Sequence, residues 1–381
     1  MQLSVIILNY NVKHFLELCI KSVQKAIEHL DAEIIVVDNA STDGSKEMMQ
    51  QKFAHILYLY QTQNTGFPKG NNIGVAHAKG EYICILNPDT VVAEDTFQKL
   101  LDEYQTLDKP GILGCHLIDG AGHFLPESKR GVPTPWVAFT KVTSLYRFFS
   151  KNKYFNQYYA MHLSEYQPGK VSILVGAFML MKKSLYESVG GFDEGCFMYS
   201  DDIDLSYLSL KNGFNNYYLP QTTIIHFKGE STLKNINYMK RFKEAMQFFY
   251  KKHFKTSVFF NLLMNVGIFL FAFKKKNEKA KPVEKPQMYI YVGENGYVFH
   301  CLKKQFSNVE MIQSLDENIV LNPNIRTEFL VDADSITYKD YINFLMQKKN
   351  SHKTFKIKPQ NAHFFIGSNH KNDKGEILTY N

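Results

Sequence analysis

Cysteine is sparse and unpatterned in this 381-residue chain: Cys19, Cys84, Cys115, Cys196 and Cys301 are scattered, with no C-x-x-C and no Cys/His ligand spacing. That points to a reducing cytosol and away from a structural zinc. The opening MQLSVIILNYNV has no basic n-region, and its apolar run is too short for a secretion signal. LSVIILN reads instead as a buried first strand. The charge balance is modest, 44 Lys and Arg against 37 Asp and Glu, a formal +7. Such an excess suits an anionic small ligand or an anionic membrane surface and does not ask for nucleic acid. Tryptophan occurs once, at position 136.

What the chain does have is ample core material, 45% hydrophobic residues, and a length that suggests two domains. Aromatics are abundant, 30 Phe and 23 Tyr, mostly beyond residue 130. That bias hints at a surface that handles something amphipathic.

The first hundred residues alternate strand and helix signals. Leu3–Asn9, Glu33–Asp38, His55–Tyr60 and Tyr82–Leu86 are expected strands. Between and after them, Lys13–Leu30, a short segment after NASTDGS, Ile73–Ala78 and Ala93–Tyr104 are expected helices, and NTGFPKGNN a glycine-rich loop. This alternation predicts βαβ units with a parallel sheet, and the uniformly apolar strands predict helices on both faces. Ligands of such sheets bind beyond the carboxyl ends of the strands. Asn9, Asp38, Asn64 and Asp89 each lie just past a strand and should share that rim.

Residues 130–168 break the rhythm with VPTPW and a Tyr/Phe-rich stretch. They form either an irregular excursion with its own small core or an acceptor-side, membrane-facing lid. Order returns with VSILVGAFMLMKK, a helix expected from Asp204 to Lys211, and a strand in YYLPQTTIIHFKGEST. Val258–Phe273 is almost wholly apolar and flanked by lysines on both sides. It falls short of the roughly 20 residues of a spanning helix, so a surface-lying or re-entrant helix with basic anchors is expected. A charged linker at 277–287 leads to a small α/β module of about 95 residues. Gly293 and Gly296 lie in its first turn, which lacks the third glycine of a dinucleotide fingerprint. The expected division is 1–250, 251–286 and 287–381.

LSVIILNYN, EIIVVDNASTDGS, NTGFPKGNNIG, YICILNPDT, GAFMLMKK, GGFDEGCFMYSDDIDL and HFKGES occur in this order over residues 3–231. The set resembles the family 2 glycosyltransferases of GT-A fold, and within them the rhamnosyltransferase-like group. The resemblance implies an α/β mixed sheet flanked by helices and an inverting transfer of sugar. The donor would be a nucleotide diphosphate sugar, dTDP-rhamnose or a UDP-hexose. The acceptor would be a hydroxyl of a growing polysaccharide or polyprenyl-linked glycan. Peripheral contact at the inner face of the plasma membrane would follow, with Mg2+ or Mn2+ as cofactor and no nucleic acid partner.

The same resemblance assigns residues. Asp38 would accept a hydrogen bond from a pyrimidine ring N–H, although it could equally cap the next helix, as could Asn39, Ser41 or Asp43. Asn9, Asn39, Gly66, Lys69, Asn71 and Asn72 would face the nucleotide, and Gly176 with Ala177 the sugar pocket. Asn87 stands where the broader fold has the first acid of Asp-x-Asp, so Asp89 would be the direct metal ligand. His226, at a strand end, would be the second ligand, with Lys228 and Ser231 near the phosphates. Asp202 matches the general base, and Asp201 stands where glutamate is usual. Crowding of like charges should raise at least one of their pKa values. Asp204 reads as a helix-start acid. Leu208 replaces a frequent arginine, which would leave the acids without a charge-balancing partner. Trp136 would stack on a sugar or sit in a core. The rivals are a non-catalytic nucleotide-sugar binding or scaffold protein and a nucleotidyltransferase. The latter would need a basic glycine-rich loop after the first strand, where NYNVKHF stands.

Overall fold

The computed structural model describes residues 1–134, 157–227, 236–254, 285–315, 324–350, 352–369 and 375–380, with isolated positions between them. Lys228, Ser231 and the apolar segment Val258–Phe273 lie outside the described residues.

The N-terminal part is built on nine strands: β1 (Leu3–Asn9), β2 (Ala32–Asp38), β3 (Leu57–Tyr60), β4 (Tyr82–Leu86), β5 (Thr90–Val91), β6 (Pro110–Ile118), β7 (Gly169–Val171), β8 (Phe178–Lys182) and β9 (Asn215–His226). Their order is β3-β2-β1-β4-β8-β6-β9-β5, with β7 paired to β9. β3, β2, β1 and β4 run parallel, while β8 runs antiparallel to β4 and β6. The sheet is therefore mixed. β1, β4 and most of β2 are buried throughout, which is why their sequences lack alternation.

Helices α1 (Lys13–Ala26), α2 (Ser45–Lys52), α3 (Phe67–His77) and α4 (Thr96–Thr106) link the first strands. α1 stops four residues before its expected end. The chain turns there, Leu30 N donating to Ile27 O, to enter β2. α3 corrects a second expectation, because it begins at Phe67 rather than Ile73. Gly66, at φ +83°, breaks the chain direction, and Pro68 sits in the first helical turn, where its missing N–H costs nothing. Lys69, Asn71 and Asn72 thus ride on a helix, not in a loop.

Later come α5 (Lys183–Ser188), α6 (Asp201–Lys211) and α7 (Ile236–His253). α6 starts three residues earlier than expected, and its first turn holds Asp201, Asp202 and Asp204, where the helix dipole favours acids.

The C-terminal part is a six-stranded sheet in the order β11-β10-β12-β13-β14-β15. Its strands are β10 (Met288–Val292), β11 (Val309–Ile312), β12 (Thr327–Asp332), β13 (Lys353–Lys358), β14 (Phe364–Gly367) and β15 (Glu376–Thr379), with helices α8 (Gly296–Gln305) and α9 (Tyr338–Lys348). The Gly293 turn is filled. A Cβ there would fall 2.7 Å from the Tyr291 hydroxyl and 2.8 Å from Asp332 Cβ.

The two sheets share an apolar core. Phe15, Leu18, Val91, Ile225 and Phe227 of the first part cluster with residues such as Ile290, Phe329, Tyr341 and Ile366 of the second. Polar contacts frame it. Glu94 accepts from the backbone N–H groups of Tyr338 (2.7 Å) and Lys339 (2.9 Å), so a side chain of one part caps a helix of the other. Asp95 pairs with Lys339 Nζ at 2.6 Å.

Candidate active site

β1 is flanked by β2 on one side and β4 on the other, so the crossovers leave it in opposite directions. The crevice beyond its carboxyl end is the expected ligand position of a doubly wound sheet. Asn9 and Asp38 end β1 and β2 in register. Asn9 Nδ2 donates to Asp38 Oδ2 at 2.7 Å, and the Ser41 N–H donates to Asp38 Oδ1 at 2.7 Å. The Tyr58 phenol lies close by; burial first, then the Asp38 charge, raises its pKa. Asp38 does not cap the next helix. Asp43 holds that turn, accepting from the N–H groups of Lys13 and Ser45.

Asn39 fixes the loop opposite, donating to Gly66 O and accepting from Thr65 Oγ1, both at 3.0 Å. Gly66 is also required for space, since a Cβ would meet Phe197 at 2.9 Å. Lys69 is exposed on the first turn of α3. Asn72 is committed elsewhere. Its Oδ1 accepts from Tyr186 Oη (2.5 Å) and Phe192 N (3.2 Å), while Nδ2 donates to Phe192 O and Glu194. In this arrangement its amide clasps the 186–194 segment.

The Asn-Pro-Asp turn continues β4. The Asn87 N–H donates to Ala177 O, and Thr90 Oγ1 donates back to Asn87 O. β5 then pairs with β9, placing Thr90 opposite His226. The result brings three groups together. His226 Nε2 is 3.3 Å from Asp89 Oδ1 and 3.3 Å from Asn87 Nδ2. Asp89 and His226 are both buried. His226 Nδ1 is buried with no hydrogen-bond partner among the described residues. One carboxylate and one imidazole at this spacing fit a divalent cation that takes its remaining oxygens from water and a diphosphate. No cluster of three or more His, Cys, Asp or Glu with metal-holding geometry occurs among the described residues.

The acid pair begins α6. Asp202 Oδ2 accepts from Arg130 Nη2 at 2.5 Å and from the Gly176 N–H at 3.0 Å. The expected loss of a charge partner at Leu208 is thereby corrected: Arg130, 72 residues upstream, supplies the cation from another element. Burial alone would lower the guanidinium pKa; the Asp202 charge and hydrogen bonds to Asp202 and Tyr158 outweigh it and raise it. Asp201 is buried, with one carboxylate oxygen lacking a hydrogen-bond partner. Burial, then the Asp202 charge, pushes its carboxyl up to about 7. Asp204 faces away, pairing with Lys252 Nζ (2.8 Å) and His253 Nε2 (2.5 Å) of α7. Lys252 also reaches Asp193 at 2.6 Å.

Trp136 is 45% exposed, its Nε1 donating to Tyr154 O and its ring edge-on to Phe155, so the core alternative does not hold. Sequence reasoning missed Arg130 and Tyr58. The signal for Arg130 was indirect: an acid pair lacking its usual arginine asks for a cation from elsewhere.

Residues 4–190 match the family model described as glycosyl transferase family 2. Over 241 residues the chain is 28% identical to the N-acetylglucosaminyl-diphospho-decaprenol L-rhamnosyltransferase of Mycobacterium tuberculosis, covering 60% of this chain and 77% of that one. It is 29% identical over 217 residues to the rhamnosyltransferase WbbL of Escherichia coli, covering 54% of this chain and 78% of that protein. Among solved structures, the mannosyltransferase PcManGT from Pyrobaculum calidifontis, in complex with GDP-Man and Mn2+, is similar over 73% of this chain and 76% of that chain (TM-score 0.46, 17% identity).

Proposed function

We propose, from the match of residues 4–190 to the glycosyl transferase family 2 model and the similarity to two rhamnosyltransferases, an inverting transfer of a sugar from a nucleotide diphosphate donor to a glycan hydroxyl. The donor is dTDP-rhamnose or a UDP-hexose. The acceptor is a growing polysaccharide or a sugar on a polyprenyl diphosphate carrier, as the name of the mycobacterial relative suggests.

The single observation that supports this reading is a pair of contact groups at the carboxyl ends of β1, β2 and β4. Asp38 is bonded to Asn9 at the end of β1; Asn87 is bonded to Ala177; the neighbouring Gly176 is bonded to Asp202; and Asn87 and Asp89 converge on His226. Asp38, held by its two donors, presents a carboxylate edge to the base. Asn9, Asn39, Gly66 and Lys69 line the nucleotide side. Asp89 and His226, beside Asn87, would hold Mg2+ or Mn2+, and the cation when bound neutralises charge on the departing diphosphate. Gly176 gives room beside the sugar. The Asp201/Asp202 pair takes the proton of the acceptor hydroxyl.

No helix among the described residues is long and apolar enough to cross a membrane. The apolar segment Val258–Phe273, with its flanking lysines, is proposed to lie on the inner face of the plasma membrane, near a carrier-linked acceptor. The deciding experiment is a transfer and donor-hydrolysis assay across a panel of nucleotide sugars with Mn2+. Turnover of one donor, lost in Asp89→Ala, is expected; absence of binding and turnover with every donor would retire the enzyme reading in favour of a non-catalytic binder.

A further inference from the structure

Asp89 stands on a short support. After Pro88 the chain makes only two strand residues, Thr90 and Val91, before it turns away at residues 93–95. That strand, β5, is the outermost of its sheet and pairs with β9 on its inner side. A two-residue strand at a sheet edge is below the usual length, and it holds its geometry poorly without cover on the outer side.

The cover comes from the C-terminal module. Val91 is fully buried in the core shared by the two sheets, with Ala93 beside it. Glu94 follows and accepts from the first two N–H groups of α9, those of Tyr338 and Lys339. Asp95 pairs with Lys339 Nζ. The strand that carries His226 is held in the same way. The next residue, Phe227, donates its N–H to Asp89 O at 3.0 Å, buries its ring in the shared core, and accepts at its carbonyl from Ser368 Oγ at 3.4 Å. Packing there has no slack, since a Cβ at Gly120 would fall 2.4 Å from Ser368 O and 2.9 Å from the Phe227 ring. Both segments that bear the Asp89–His226 pair are thus braced from outside by the module.

The module's own ligand position is filled. β10 lies between β11 and β12, and the crevice beyond its carboxyl end is where such a sheet takes a ligand. Tyr291 Oη donates to Asp332 Oδ2 there at 2.8 Å, and Lys358 Nζ lies 2.8 Å from Asp332 Oδ1. A crevice plugged by its own side chains, beside a helix capped by the segment that bears Asp89, suits support better than binding.

We infer, resting on the transfer reading above, that the C-terminal module is the buttress of the Asp89–His226 pair, and that Glu94 is the positioning residue that ties the Asp89 segment to α9. Ligands of a cation need a supporting shell that fixes them before the cation arrives. With Glu94 in place, carboxylate and imidazole stand 3.3 Å apart in advance. Without it residues 89–95 gain freedom, and cation binding has to order them. The nucleotide side does not share this dependence, because Asp38 is held by Asn9 and Ser41.

The test compares the full-length wild type with Glu94→Ala and Glu94→Gln. Mn2+ binding in the presence of UDP, and of dTDP in a second series, is followed by electron paramagnetic resonance. Nucleotide affinity without metal is followed by calorimetry. Glu94→Ala should weaken Mn2+ binding by about three- to tenfold, at or below the low end of what partners of metal ligands cost, with metal-free nucleotide affinity unchanged. Hydrogen–deuterium exchange read by mass spectrometry should speed up in peptides covering residues 87–95 and 224–227 and stay constant in β2. Glu94→Gln keeps an acceptor for one of the two N–H groups and should fall between the other two proteins; it carries the same readouts if Glu94→Ala does not fold. Faster exchange with unchanged Mn2+ affinity would reduce Glu94 to a structural role and overturn the proposal. Equal losses of Mn2+ and nucleotide, or exchange that does not change, would overturn it as well. A wild type that meets these expectations but turns over no nucleotide sugar would sink the transfer reading alone.

Discussion

Asn9 and Asp38 end neighbouring strands in register and are joined by a 2.7 Å hydrogen bond from Nδ2 to Oδ2. Both are buried, so the bond forms without competition from water. Its effect is to aim a carboxylate before any ligand arrives. A preset acceptor loses little freedom on binding, which favours affinity.

Asp38→Ala should weaken binding of UDP or dTDP by about ten- to a hundredfold, the loss of a hydrogen bond to a charged group. Isothermal titration calorimetry on the folded variant reads this directly. Unchanged affinity for both nucleotides would remove Asp38 from the donor site. Asn9→Leu should cost about 1–3 kcal/mol of stability, because it leaves a buried carboxylate short of a donor.

Asp89→Ala and His226→Ala should each weaken Mn2+ binding in the presence of nucleoside diphosphate by at least about tenfold. Electron paramagnetic resonance of free Mn2+ measures it without turnover. If His226→Ala binds Mn2+ as the wild type does, the diphosphate and Asp89 carry the cation and the imidazole is only a neighbour.

Stability should fall as pH rises toward neutrality on account of Asp201. Its folded carboxyl is raised to about 7, whereas an unfolded aspartate titrates near the ordinary value of 3.8. Between those values the folded state holds a proton that the unfolded state has released, so raising pH favours unfolding. Asp201→Asn should flatten this dependence and melt roughly a few degrees higher than the wild type at pH 8. Parallel melting curves for the two proteins from pH 4 to 8 would contradict this.

Asp204→Ala should cost about 3–5 kcal/mol, the penalty for breaking a buried ion pair. Lys252 and His253 lose their shared partner, Lys252 keeping Asp193, and α7 loses its ionic tie to α6 while the Ile203 and Tyr207 packing remains. Urea unfolding monitored by circular dichroism gives the value. A variant of near-normal stability with no activity would instead place Asp204 in the chemistry.

Deletion of Val258–Phe273 should move the protein from the membrane fraction to the supernatant of lysed cells. Unchanged partitioning would assign that apolar stretch to contacts within the protein.

Sequence alone was most informative where a residue type has one physical solution. LSVIILN and YICIL are apolar at every position, and a strand covered on both faces is the economical outcome; Asn9, Asp38 and Asn87 then fall on the rim by chain direction. The start of α3 was hidden because Gly66-Phe-Pro-Lys-Gly reads as a loop by composition, although a proline in a first turn marks a helix start equally well. Asn72 shows the limit of reasoning by residue type. An amide near a glycine suits a ribose, yet Tyr186 and Phe192, more than a hundred residues away, use its capacity. The Arg130–Asp202 and Glu94–Tyr338 contacts are likewise tertiary, between residues that carry no local pattern.

The core shared by the two sheets bears on how the protein could be taken apart. Phe227, one residue past His226, packs on Phe15 with ring centroids 4.9 Å apart, and Ser368 of the C-terminal part bonds to its carbonyl. A break in the backbone between residues 255 and 284 would therefore not yield two independent pieces. The fragments would remain associated through apolar surface that neither can cover alone, and an N-terminal fragment made by itself would expose that surface right behind its proposed metal ligands.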